Sequence, residues 1–491
     1  MPAASSLVVG VAFTAAVAVA VAAAVARRAW RQQGPPVVFA GKPFIHYIRD
    51  LRREYGPIVK LQMGVRTLVV ISSAELVHEA LVEKGREFAT RPAESPIRSI
   101  FSSGKFTVNS AVYGPEWRSL RRNMVSGMLS AARLREFRPA RLRAMERFVA
   151  RVRAEAAASR DGASVWVLRN VRFAMFCVLL DMTFGLLDLD EELVVRVDAV
   201  MKRVVLAVAA RIDDYLPFLR PFLWRQHRQA VALRREQIDT VLPLINRRRA
   251  IVRGMRAGSP PDPAVAAPYS YLDSLLELRV EGREAMIYGG TDTTATAIEW
   301  SMARVMDNPS IQARLHGEIM QRVGDARPVD DRDTDGMPYL QAFVKELLRK
   351  HPPTYFALSH AAVEPGSKLA GYDVPVDANL DIFLPTISED PKLWERPTEF
   401  DPDRFLAGGE TADITGSAGV RMIPFSAGRR ICPGVGMGTA HIALMVARMV
   451  QAFEWRAHPS QPPLDFEDKV EFTVVMKRPL LAMVTPRKLS F

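Results

Sequence analysis

Cysteine is nearly missing from this chain: Cys177 and Cys432 are the only two among 491 residues. Two thiols cannot build a disulfide framework, and such low usage points to a reducing compartment. The eight histidines form no His-x-x-x-His or Cys/His spacing, which argues against a metal site made of protein ligands alone. No glycine-rich nicotinamide or flavin fingerprint occurs, so electrons for any redox chemistry must come from outside. Acidic residues are outnumbered, 54 against 66 basic, giving a net charge of +12. That excess fits nucleic acid, a membrane surface or an acidic partner. Paired zinc spacings, a glycine-aromatic RNA-binding signature and undiluted basic runs are all missing, which sets nucleic acid aside.

Long charge-free runs are also scarce, and the one at residues 7–26 therefore stands out. It is long enough to span a bilayer, and Arg27, Arg28 and Arg31 follow at once, placing the remainder in the cytosol. A signal peptide is the rival, but no basic residue precedes the run and it is long for a cleaved h-region. Residues 1–30 are thus expected to be a membrane anchor, 31–41 a short Pro/Gly hinge and 42–491 a single catalytic domain.

The most informative stretch is 425–434, Phe-Ser-Ala-Gly-Arg-Arg-Ile-Cys-Pro-Gly. A thiolate that ligates iron needs backbone curled around the sulfur, and Gly428 and Gly434 permit that close approach. Pro433 and the apolar run 437–450 place Cys432 at a helix start, where amides and dipole favour a thiolate. Arg430 offers a fixed cation for an acidic cofactor edge such as a haem propionate, and Phe425 a cover for the sulfur side of a flat ring. Cys177, in the apolar helical stretch 173–180, reads instead as core.

Together Phe425, Gly428, Arg430, Cys432 and Gly434 match Phe-x-x-Gly-x-Arg-x-Cys-x-Gly, and here the chain resembles the cytochrome P450 superfamily. The resemblance runs from about residue 42 to 491. It implies a mainly α fold with a minor β-sheet portion, haem b with Cys432 as axial ligand to the metal, and NADPH used indirectly through the membrane-bound NADPH–cytochrome P450 reductase. It also implies contact of Trp117 and Arg121 with a haem propionate; His360 is a further candidate for that contact, beside the commoner role of a surface or capping histidine. Glu346 and Arg349, joined by Arg404, would form a structural carboxylate–arginine cluster.

For 289–294, Gly-Gly-Thr-Asp-Thr-Thr, the resemblance implies an oxygen-binding motif within a long distal helix. Gly290 lets that helix approach the haem, Thr293 hydrogen-bonds dioxygen and Asp292 brings in protons, making Asp292 and Thr293 the catalytic pair. Read alone, Gly-Thr-Asp also allows a loop and N-cap, the lesser of the two readings. Only six residues, 283–288, lie between Gly282 and Gly289, about 9 Å of helix, so the distal helix and the hinge are both expected to be shortened relative to the family. A degenerate haem protein follows if that arm is missing. A same-fold isomerase or dehydratase would use Cys432 without dioxygen, which Asp292 and Thr293 argue against. A haem-free membrane-anchored binding protein would have no use for the Cys432 motif.

Elsewhere the spacing predicts helices over 42–55, 74–84, 131–158, 165–187, 191–210, 226–253 and 337–350, a hairpin over 58–72, and a loop over 92–113. Segments 352–358 and 471–476 read as extended and apolar, with Thr354, Phe356, Ala357, Phe472, Thr473 and Val474 as candidate cavity lining. Segments 42–57, 91–101 and 338–353 look like plant cytochrome P450 family 77. That resemblance implies in-chain hydroxylation or epoxidation of fatty acids at the endoplasmic reticulum membrane.

Overall fold

The computed structural model describes residues 43–259, 262–278, 290–406, 410–417, 419–461 and 463–490. The segments 7–26, 31–41 and 283–288 lie outside the described residues. Among the described residues no helix is long and apolar enough to cross a membrane.

Pro43 opens α1 (Phe44–Tyr55), whose Ile48 and Leu51 are buried, and Gly56, at φ +91, ends it. β1 (Ile58–Met63) and β2 (Arg66–Ile71) form the expected hairpin, in register Ile58 with Ile71. After α2 (Ala74–His78) comes a π-helical turn at Glu79–Glu83. Within the segment expected to be loop, Ser95 caps a short helix α3 (Pro96–Ser102), its hydroxyl accepting from Arg98 N and Pro96 occupying a first-turn position.

α4 (Pro115–Met124) carries Trp117 and Arg121. The helix expected over 131–158 is two: α5 (Ala131–Glu136) and α6 (Arg138–Ala158) part at Phe137, because Pro139 tolerates only a first turn. β3 (Ser164–Trp166) precedes α7 (Val167–Phe184), which Gly185 ends, and α8 (Glu191–Ala207) follows behind an Asp190 cap. The short α9 (Ile212–Tyr215) and a 3-10 segment, Pro217–Leu223, lead into the long basic α10 (Trp224–Arg256), then α11 (Tyr271–Glu277).

α12 (Asp292–Asp307) is buried on nearly every side and packs on α7, on α13 (Pro309–Arg322), on α15 (Pro338–Lys350) and on α17 (Val435–Ala452). That is the signature of a central helix. Between them lie α14 (Asp331–Thr334), strands β4 (Lys368–Leu369), β5 (Tyr372–Asp373) and β6 (Asn379–Ile382), and α16 (Pro385–Ser388). β6 pairs parallel with β2, giving a sheet ordered β1-β2-β6. β7 (Phe453–Ala457), β8 (Asp468–Val470), β9 (Val474–Met476) and β10 (Leu481–Pro486) close the chain, with β10 between β3 and β7. The expectation of a mainly helical domain with a minor sheet holds.

Candidate functional site around Cys432

The loop before α17 is closed by one main-chain bond, Cys432 N to Phe425 O at 2.9 Å. Gly428 adopts φ +67, and a Cβ there would stand 2.0 Å from Leu81 O, so only glycine fits. Gly434 is the N-cap of α17 and its N–H points at Cys432 Sγ from 3.4 Å. Pro433 therefore precedes the helix instead of standing just inside it. The ring of Phe425 lies against Gly438 of α17, where an added Cβ would be 3.4 Å from Cε1. Burial pushes the Cys432 thiol up, opposed by the Gly434 N–H and by the Arg121 guanidinium. The Gly434 N–H at the helix start favours the thiolate, as expected, but burial outweighs it; a bound metal that displaces the proton would shift the balance.

Cations gather behind this loop. Arg121 donates to Ile431 O at 2.7 Å. Buried Arg430 donates to Ala89 O at 2.6 Å, Ala111 O at 2.6 Å and Val108 O at 3.3 Å, with its guanidinium 4.4 Å from the Trp117 ring centre. Trp117 Nε1 donates to the same Val108 O at 3.2 Å. Nδ1 of the buried His360 pairs with Phe88 O at 2.7 Å, while its Nε2 is buried with no partner. Arg91, which sequence reasoning missed, binds Asn109, Leu358 and Ser359 carbonyls.

Burial first, then Arg91, drives His360 down to about 3. Burial, then Arg91 and Arg121, brings Arg430 to about 9. The charges that shift Arg91, Arg121, Arg430 and His360 are one another, Arg98, Cys432 and Tyr113, with no Asp or Glu among them. Three guanidiniums and an orphaned imidazole nitrogen, collected without a paired carboxylate among the described residues, are a donor set that fits an acidic cofactor edge. Only the fold joins residues 91, 121, 360 and 430, so no spacing could have revealed Arg91.

The expected scaffold is present. Arg349 Nε and Nη2 each donate to Glu346 at 2.7 Å, and both residues are fully buried. Arg404 Nε stands 3.5 Å from Glu346 Oε2 as an ion pair without hydrogen-bond geometry, its other nitrogens holding Glu395 and Arg396 carbonyls. Arg349 is thus the main partner.

On the opposite side the motif opens α12 instead of lying within a helix: Gly290 has φ +114, Thr291 is the N-cap and Asp292 the first helical residue. Gly290 nonetheless faces α17, a Cβ there standing 4.0 Å from Met437 Cε. Asp292 pairs with Arg172 of α7, which also holds Asp198 of α8. Thr293 is half-buried in the first turn. Of the expected lining residues, Thr473 and Val474 are buried, whereas Phe472 is 37% exposed.

A profile of the family described as Cytochrome P450 matches residues 35–485. The chain is 30% identical to cytochrome P450 89A9 of Arabidopsis thaliana, covering 90% of this chain and 88% of that one. It is 31% identical to oryzalexin D synthase of Oryza sativa subsp. japonica, over 90% and 89% respectively. A third relative, 3,9-dihydroxypterocarpan 6A-monooxygenase of Glycine max, is 28% identical over 89% and 88%. Among solved structures, a zebra fish cytochrome P450 with progesterone superposes with a TM-score of 0.70 at 22% identity, covering 91% of this chain and all of that one, a likeness of fold. With a family profile spanning nearly all of the chain and the fold shared throughout, this protein belongs to the cytochrome P450 family, haem-thiolate monooxygenases supplied with electrons by a reductase.

Proposed function

We propose that this monooxygenase inserts one oxygen atom of O2 into a fatty acid, by in-chain hydroxylation or epoxidation, at the endoplasmic reticulum membrane. The observation that carries the site assignment is the acid-free cation cluster behind the Cys432 loop, complementary to the two carboxylates of a haem edge. Cys432 would hold the iron, with Arg91, Arg121, Arg430, Trp117 and His360 around the propionates. Bound through a thiolate, haem supplies the chemistry that activates oxygen. Thr293 would orient the oxygen by hydrogen bonding, and Asp292 would carry protons inward once released from Arg172. Glu346, Arg349 and Arg404 hold the loop in register and take no part in the chemistry.

The fatty-acid reading is supported by the likeness of segments 42–57, 91–101 and 338–353 to plant family 77. Residues 1–30 would be the single-pass anchor and 31–41 the hinge before a cytosolic domain. Exposed Arg118, Arg122 and Arg429 beside the loop suit an acidic docking surface on the reductase.

The test is the reduced carbon-monoxide difference spectrum of the full chain in membranes. A thiolate-type Soret band is expected from the parent and is lost in Cys432→Ser, whereas Thr293→Ala keeps the band and uncouples oxygen consumption from product. No such band from folded parent protein overturns the site. Turnover of a diterpene or pterocarpan with none of any fatty acid overturns the substrate.

A further inference from the structure

Two turns along α12 from Asp292, Glu299 has no exposed surface. Its Oε1 accepts from Leu480 N at 3.1 Å, but Oε2 is buried without a partner. A carboxylate kept only for structure would have both oxygens satisfied, since a bare buried charge is costly. A group that holds a proton on the orphan oxygen avoids that cost.

Its neighbours give the proton somewhere to go. Asp292, Thr296 and Glu299 recur at i, i+4 and i+7 and share one face of the helix. Thr296 Oγ1 lies 3.0 Å from Thr473 Oγ1, both buried. The charges that act on Glu299 through space are Lys202 from α8 and Lys469 and Glu471 from the β8–β9 hairpin. Glu471 pairs with Lys469 at 2.9 Å and Lys202 at 3.8 Å, and both lysine side chains reach solvent. Glu471 also feels Arg172, the partner of Asp292. One solvent-reaching cluster therefore acts at both ends of the polar stripe.

We propose that Glu299 stores a proton for the distal face, exchanging it with solvent at the Lys202–Glu471–Lys469 cluster and passing it along the Thr296–Thr473 pair. Each proton leaving Oε2 for a hydroxyl or water is replaced by one from bulk, and no bond other than O–H changes. Burial raises this carboxyl to about 7, which matches a proton donor to neutral working conditions. The inference rests on the monooxygenase reading for its purpose, but its first test does not.

Infrared spectroscopy of the full-length protein, with and without haem, reads the protonated carboxyl directly. The parent should show a carboxylic-acid C=O band that shifts in D2O, titrates with a midpoint near 7 and is missing from Glu299→Gln. Identical spectra of parent and Glu299→Gln overturn the proposal. In membranes with reductase, Glu299→Gln should lower product formed per NADPH several-fold and enlarge the solvent isotope effect, with Glu299→Asp restoring part of both. A folded, haem-loaded Gln variant with unchanged coupling, isotope effect and pH profile also overturns it. Should the Gln variant not fold, the Lys202→Met/Lys469→Met pair serves: removal of both cations should raise the band's midpoint, and an unmoved midpoint refutes the route. Loss of the thiolate-type band in the parent would sink the monooxygenase reading and leave the infrared result standing.

Discussion

Arg349→Leu isolates what holds the cysteine loop to the core. The parent guanidinium makes two bonds to Glu346 and donates to the carbonyls of Ser388 at 2.9 Å, Pro397 at 2.8 Å and Glu399 at 2.7 Å. Leucine fills much of the volume but takes the donor away from three carbonyls, that of Ser388 buried and those of Pro397 and Glu399 part-buried. Glu346 then keeps only the Asp401 N–H at 2.9 Å and the oblique Arg404 contact. Stripping one partner from a buried ion pair costs ~3–5 kcal/mol, and a lost hydrogen bond to a charged donor ~1.5–3 kcal/mol, with incomplete additivity. A loss of at least ~4 kcal/mol is expected, a large share of the ~5–15 kcal/mol that holds a domain together. Arg349→Lys, which keeps charge but not the fork, should fall between. Urea unfolding followed by circular dichroism measures this, with Arg256→Ala as control because the Arg256–Glu277 pair is two-thirds exposed and should hardly matter. If Arg349→Leu unfolds within ~1 kcal/mol of the parent at equal m-value, burial does not decide the strength of this pair and the reasoning fails.

Gly428→Ala forces a side chain into left-handed backbone and onto Leu81 O, so it should lose at least ~1–2 kcal/mol from conformation alone, read as a lower urea midpoint and weaker haem retention. Arg430→Leu should leave the fold cooperative but slow haem uptake and speed its loss, measured by transfer to apomyoglobin. Unchanged transfer would remove Arg430 from the cofactor site. Glu299 also predicts a pH signature. Its carboxyl is raised from 4.5 to about 7, so between those values the folded protein keeps a proton that the unfolded chain has released, and the parent loses stability as pH rises through that window. Relative to Glu299→Gln, the parent should be less stable at pH 8 than at pH 4.5 by roughly 3 kcal/mol, at ~1.4 kcal/mol per pKa unit. Equal pH slopes for the two proteins would contradict a buried, raised carboxyl.

Local signals were the ones the sequence could carry. The Cys432 decapeptide and the Glu346/Arg349 pair each lie within a few residues of sequence, and each makes its contacts locally, Gly434 N–H to Cys432 Sγ and Arg349 to Glu346. Helix limits failed where one residue outweighed a periodic pattern: Pro139 split a basic helix, and Ser95 with Pro96 started one inside an expected loop. The distal motif shows the same limit. The family resemblance implied a place within a long distal helix, with loop and N-cap as the other reading; Gly290 turns the chain at positive φ and Asp292 begins the helix, as the second reading has it. Arg91, Arg172 and Glu299 were invisible for another reason: each is an ordinary residue in its own segment, and its meaning lies in neighbours drawn from distant ones.

The parallel pairing of β2 with β6 joins positions 311 residues apart, Ile71 with Ile382. At ~5–20 residues per second, a growing chain carries the edge of that N-terminal hairpin unpaired for roughly 15–60 s before its partner strand is made. The groups behind the cysteine loop wait longer still, since Arg430 must reach Ala89, Val108 and Ala111. Assembly of this molecule is therefore weighted to the end of synthesis, and early halting of translation should yield fragments that are captured by chaperones instead of folding. Exposed strand edges and long-range closure make that interval the period of greatest aggregation hazard.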